Sequence, residues 1–215
     1  PQMARHGSCP VHLSGLIELY RETGETRYRD LATRLLNMRD LVTNGDDDNQ
    51  NRIPFRQQRQ AVGHAVRATY LYTGAADVYA ETGDESLLAS LSPIWEDLVH
   101  RKLYITGGCG ALFDGASPDG SADQKSITRV HQAFGRPYQL PHSTAHNETC
   151  AAIGNLLWNW RMHQISPEAR FGDVIELTPF NSVLAGVSLD GRRFFYTNTL
   201  RRLDPMPVEL RWPQQ

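Results

Sequence analysis

The sequence predicts a mostly α-helical chain of consecutive αα-hairpins with a short strand module after them. Three observations carry this. Tyr20-Arg21-Glu22-Thr23-Gly24-Glu25 recurs as Tyr79-Ala80-Glu81-Thr82-Gly83-Asp84, and Arg170-Phe171-Gly172-Asp173 weakly echoes Arg27-Tyr28-Arg29-Asp30; such self-similarity marks repeated supersecondary units. Apolar residues around each copy fall at helical spacing. Near the end, Asp190-Gly191 sits between Ser188-Leu189 and the aromatic run Phe194-Phe195-Tyr196, the pattern of a hairpin turn before a strand.

In chain order, His12-Leu13, Leu16-Ile17 and Leu19-Tyr20 form one apolar stripe. Thr23-Gly24 stops it, and Tyr28, Leu31-Ala32 and Leu35-Leu36 begin a second helix. The same reading places helices over 61–82 and 85–101, and over 147–163 and 168–187. Hairpins of this kind bury their faces only against neighbours, so they stack into a solenoid or close into a toroid. Two long polar connections, 43–58 and 107–144, separate them, and loops this long in a compact domain are usually functional or disordered. The first reads equally as a solvated acidic turn; the second carries aromatic and His residues suited to lining a site. The hairpin at 188–198 is marginal alone, so its sheet needs further strands.

With 215 residues, 40% of them hydrophobic, the chain can bury a substantial core. A formal charge of −2, with Arg scattered among acids, gives no electrostatic ground for nucleic acid or an anionic membrane as partner. No segment approaches the roughly 18 consecutive apolar residues of a membrane span. Cys9, Cys109 and Cys150 are odd in number and widely spaced, which argues against a disulfide framework and for a reduced, cytoplasmic setting. The start at Pro1, without a signal-peptide apolar region, reads as a fragment or a processed chain. A homo-oligomer stays open.

The most informative stretch is 131–161, where a Pro-rich loop with three His runs through Asn147-Glu148-Thr149-Cys150 into an apolar helix. Unpaired N–H groups and the positive dipole end at a helix start favour a carboxylate and lower a thiol pKa. Glu148 and Cys150 are either a charge–dipole contact and a small core residue, or a chemical pair. Residues two apart on a regular helix point about 200° apart, so sharing a ligand requires an extended or 3₁₀ start. His131, His142 and His146 offer a second metal cluster or simply hydrogen-bonded loop groups. Trp95 and Trp158, at helical positions, read as core; Trp160, flanked by Asn159 and Arg161, reads as core or as a sugar-stacking surface.

Five segments then become specific: Gly63-His64-Ala65-Val66-Arg67-Ala68, Tyr104-Ile105-Thr106-Gly107-Gly108, Phe134 through Leu140, Asn147 through Asn155, and Phe194 through Asn198. In order and rough spacing they resemble glycoside hydrolase family 127 over almost the whole chain. The resemblance implies a partial (α/α)6-barrel-like catalytic domain over 1–187 and the first strands of a β-sandwich over 188–215. It implies a retaining glycoside hydrolase acting on β-L-arabinofuranosyl or related linkages. In that family a cysteine thiolate, held on zinc by one Glu and further Cys residues, attacks the anomeric carbon, and a separate Glu protonates the leaving oxygen. Carried over, Glu148 and Cys150 become zinc ligands, His64 and His142 sugar contacts, and Tyr196 a neighbour of the nucleophile.

Two departures qualify this. Gln132 occupies the acid/base position, and an amide cannot donate a proton as a carboxylic acid does. The paired cysteines that include the nucleophile are expected beyond Trp212-Pro213-Gln214-Gln215. The expectation is therefore an enzyme fragment, inactive alone and with an incomplete zinc ligand set. Gln132 argues for an alternative, a catalytically inactive carbohydrate-binding paralogue. The αα period by itself argues for a helical-repeat interaction module.

Overall fold

The Thr-Gly repeat is one turn built twice. Helix α1 (His12–Thr23) ends at Gly24, whose φ of 72° lets its N–H return to the Tyr20 carbonyl at 2.8 Å. Helix α3 (Ala65–Thr82) ends likewise at Gly83, φ 67°, on the Tyr79 carbonyl. The preceding threonines match too, for Thr23 and Thr82 donate to the carbonyls of Leu19 and Val78 at 2.6 and 2.7 Å. A left-handed residue closes a helix without the steric cost a Cβ would bring. Each turn delivers the next helix, α2 (Thr26–Arg39) and α4 (Glu85–Arg101). The third pair, α5 (Thr149–Ile165) and α6 (Ala169–Thr178), turns instead through Ser166, whose hydroxyl donates to Glu168 at 2.9 Å.

These facts come from a computed structural model that describes residues 9–116, 129–201 and 203–205. The expected strands over 206–215, the middle of the 107–144 connection and the first eight residues lie outside the described residues.

The first helices of the three hairpins form an inner layer: α3 packs against α5 and α1, while α2, α4 and α6 each back onto their own partners. Helix α3 is accordingly apolar almost all round, with Ala68, Leu71, Tyr72, Ala75 and Ala76 fully buried. Tyr72 meets Trp158 of α5 at 4.8 Å between ring centroids. Trp95 is equally core, its indole donating to Asn159 at 2.7 Å, whereas Trp160 is 46% exposed. At the C-terminal ends of the inner layer, the buried Asp77 of α3 binds Arg21 of α1 at 3.0 Å and Arg161 of α5 at 2.8 Å. That bridge sets the three inner helices parallel. The N-terminal ends therefore share the opposite edge.

Several boundaries differ from expectation. Helix α3 starts at Ala65 rather than 61, because Ala61 to His64 run in as a held segment: Ala61 donates to Asp97 and its carbonyl accepts from buried Lys102 at 2.7 Å. Helix α6 stops at Thr178 rather than 187. Pro179 has no N–H to continue the ladder, and a wide turn over Pro179–Val183 and a 3₁₀ turn over Leu184–Gly186 follow. The Asp190-Gly191 turn forms as expected, with Gly191 at φ 67°, but only one bridge, Val187 to Phe194, pairs its arms. Among the described residues the sole sheet lies in the 107–144 connection, where β1 (Leu112–Ala116) pairs antiparallel with β2 (Arg129–Ala133), Asp114 opposite His131.

Helix α4 begins on Asp84, whose carboxylate accepts from the Ser86 N–H at 3.1 Å and from Arg56 at 2.7 Å. Replacing Asp84 by Ala in the intact protein should cost about 1 kcal/mol in denaturant unfolding at neutral pH. The hydrogen bond from the Ser86 hydroxyl, with Arg56, holds this carboxyl below its usual range. Its contribution is thus present above the unfolded value of about 3.9 and lost as pH falls through the lower folded value. The gap between wild type and variant should close in strong acid; a gap that persists there would assign the cost elsewhere.

Candidate functional site

The N-terminal ends of α3 and α5 meet around a buried carboxylate. Asn147, φ 44°, and Glu148, extended at φ −64° and ψ 135°, lead into α5, which becomes regular at Thr149. The extended start anticipated from the 148/150 spacing is therefore present. It turns the side chains of Glu148 and Cys150 to the same place, where the thiol lies beside the carboxylate.

A distant segment completes the cluster. Residues 195–200 run along the α5 start, with Glu148 bridging Thr197 and the Thr149 N–H donating to the Tyr196 carbonyl at 3.1 Å. The amides of Asn147 and Asn198 each donate to the other's carbonyl, at 3.0 and 3.1 Å, and Asn198 also donates to the Thr149 hydroxyl at 2.9 Å. This reciprocal pairing fixes Tyr196, whose hydroxyl hydrogen-bonds Glu148 and accepts from the Gln132 amide at 3.3 Å. Gln132 sits on β2 at φ 53° and also reaches His64, the extended residue just before α3.

Burial opposes ionisation of Glu148, but His146, the Tyr196 hydroxyl and the Cys150 thiol outweigh it and hold the carboxyl below its usual range. Burial and then the Glu148 charge push the Cys150 thiol up to about 12, so the protein alone keeps it protonated. Burial and then Arg67 hold His64 below the ordinary His range, leaving a neutral imidazole at physiological pH.

The structure thus gathers Gln132, His64, Glu148, Cys150 and Tyr196, but not His142. That residue is exposed and enters the described contacts through its main chain, its carbonyl accepting from Leu200 at 3.1 Å. His131 lies 3.8 Å from Asp114 and meets the Phe113 ring edge-on. His146 belongs to the site instead: 1% exposed, it places Nε2 3.6 Å from Glu148 Oε2, within ion-pair distance and beyond hydrogen-bond length. The signal for it was its spacing, since residues two apart in extended chain share a face.

As a metal site the cluster is partial. Glu148 Oε2 is buried without a hydrogen-bond partner, and a thiol lies against the same carboxylate, a donor pair suited to zinc. Among the described residues no group of three or more His, Cys, Asp or Glu is placed to hold a metal. The two residues fit a zinc site in donor chemistry and are by themselves too few to make one. Cys109 offers nothing to it, being fully buried in the core with its thiol raised to about 12 by burial.

Fold and site together define a helical-hairpin domain with a carboxylate–thiol pair where its inner helices begin. The chain belongs to the family described as Beta-L-arabinofuranosidase, GH127 catalytic domain, whose model matches residues 2–214. A non-reducing end beta-L-arabinofuranosidase from Bifidobacterium longum subsp. longum is 33% identical over 206 residues, covering 86% of this chain and 29% of that protein. A solved glycoside hydrolase is 56% identical with a TM-score of 0.91, covering 96% of this chain and 34% of that one. A GH127 beta-L-arabinofuranosidase from Geobacillus stearothermophilus T6 is 32% identical with a TM-score of 0.80, covering 93% and 32%. The chain thus spans about a third of the length of these relatives. No helix among the described residues is long and apolar enough to cross a membrane.

Proposed function

We propose that these residues form part of a retaining glycoside hydrolase that cleaves β-L-arabinofuranosyl or related linkages. The observation that carries this reading is the contact of the Glu148 carboxylate with the Cys150 thiol and the Tyr196 hydroxyl, opposite Gln132 and His64. In it, Glu148 and Cys150 are two zinc ligands. Zinc, when bound, supplies the positive charge that keeps ligating thiols deprotonated at neutral pH. Glu148 contributes a carboxylate already held ionised by its neighbours. His64 contributes a neutral imidazole able to exchange hydrogen bonds with sugar hydroxyls. Tyr196, set between Glu148 and Gln132, ties the carboxylate to the β2 side of the cluster. The attacking thiolate comes from a cysteine outside these 215 residues, and the helical arc closes into a toroid followed by a β-sandwich from 188 onward.

Gln132 favours a second reading, a carbohydrate-binding paralogue without hydrolytic activity, because its amide holds the acid/base position.

Metal analysis of the intact protein and of Cys150→Ala tests the first reading. Stoichiometric zinc should survive dialysis in the wild type and be lost in the variant, along with hydrolysis of an aryl β-L-arabinofuranoside. Zinc retained by Cys150→Ala would remove Cys150 from the ligand set. Zinc retained by a wild type that binds arabinofuranosides without cleaving them would favour the binding paralogue.

A further inference from the structure

The connection after α2 is folded onto the segment that leads into α3, and one side chain makes most of the join. Gln50 is buried and holds a φ of 52°, a conformation non-glycine residues keep only where their surroundings enforce it. Its amide nitrogen lies 3.2 and 3.0 Å from the carbonyl oxygens of Asp47 and Asp48. It lies 3.4 and 3.3 Å from those of Val62 and His64. The amide has two hydrogens to share among these four carbonyls, and its oxygen is buried without a hydrogen-bond partner. The Gln50 carbonyl is fixed in turn by Gln58 at 2.8 Å, and Arg67, one turn into α3, closes over Asp48 and Asn49.

The intervening carbonyl, that of Gly63, accepts from the Phe134 N–H at 3.0 Å, and His64 bridges Ala133. Of the three consecutive carbonyls 62 to 64, the outer two therefore lie within reach of the shared Gln50 amide and the middle one is held by the segment that carries Gln132. Gly63 has a φ of 77°, and a Cβ there would stand 1.5 Å from the Asp47 carbonyl oxygen. Loop and helix lead-in meet backbone to backbone.

We propose that Gln50 is a positioning residue for the sugar site: its amide sets the His64 backbone against Gln132, so a loop outside the Glu148 cluster fixes the geometry within it. The proposal rests on the hydrolase reading given above. Its position explains why Asp47, Gln50 and Asn51 are buried in a loop whose other residues are largely in contact with solvent.

The test is a double-variant cycle in the intact protein. Gln50→Gly removes the amide while suiting the positive φ, and should lower kcat/KM on an aryl β-L-arabinofuranoside by about tenfold or more, since misplacements near 1 Å can cost about 10²-fold. In a His64→Ala background the same change should make less than about a twofold difference, because residues acting as a unit are non-additive. A purely structural role would lower the melting temperature, leave kcat/KM intact and show no coupling to His64; that result, or additivity in the double variant, overturns the inference and leaves the function standing. An inactive wild type overturns the function and this inference together. Should Gln50→Gly fail to fold, Gln50→Asn, which keeps a donor one methylene short, carries the same cycle.

Discussion

Replacing Gln132 by Glu in the intact protein is expected to raise hydrolysis of an arabinofuranoside with a poor leaving group by about 10²–10⁴-fold, the usual worth of general acid catalysis. The surroundings are already arranged for a neutral acid. Gln132 donates to the Tyr196 hydroxyl, which in turn bonds Glu148. A protonated carboxyl in place of the amide reproduces that donor, while an ionised one would face the Tyr196 oxygen and the nearby Glu148 charge. Both effects favour the protonated form and raise the new carboxyl above its usual range. The gain should therefore be largest in mild acid and fade as pH rises through that raised value. An aryl substrate with a good leaving group needs little protonation and should gain far less. Equal gains on both substrates would point to binding or folding instead, and no gain on either, with zinc bound, would favour the binding paralogue.

The second large effect is on stability. Asp77→Ala should destabilise the intact protein by about 3 kcal/mol, the lower end of the cost of removing one partner from a buried ion pair. The carboxylate is fully buried and joins Arg21 and Arg161 from two other helices. Removing it leaves two partly buried guanidinium groups to Glu18 and Glu81, which already pair with them at 2.6–2.9 Å. Burial, outweighing Arg161 and Arg21, raises the Asp77 pKa, so charge at this position is itself costly and Asp77→Asn should lose less than half as much. Denaturant unfolding of both variants decides this. A loss below about 1 kcal/mol for Asp77→Ala, or equal losses for the two variants, would show that the bridge does not hold the inner layer.

Glu148 and Cys150 were legible in the sequence because everything they needed was local: a polar loop, an apolar helix and a spacing of two that demands an extended start. Their partners Gln132, His64 and Tyr196 were legible only through the family resemblance, and His146 was not assigned to the site at all. Tyr196 reaches the cluster only because Asn147 and Asn198 exchange amide hydrogen bonds across some fifty residues of chain, and nothing in either segment alone announces the other. His142 and His146 look alike in the same loop, yet the fold leaves one ring exposed and buries the other beside Glu148. The β1–β2 ribbon hid in a Gly- and Asp-rich stretch because strand pairing depends on cross-strand neighbours more than on intrinsic preference.

The sequence by itself determined the helical hairpins and their turns. Apolar periodicity and the Thr-Gly stop are properties of a few adjacent residues, and they act the same way in both copies. Only the tertiary structure decided which ends of those helices meet, which histidine is buried, and that the acidic loop serves as a brace behind His64. Those outcomes depend on contacts between residues far apart in the chain, where burial and hydrogen-bond satisfaction select among arrangements that local preference leaves equivalent.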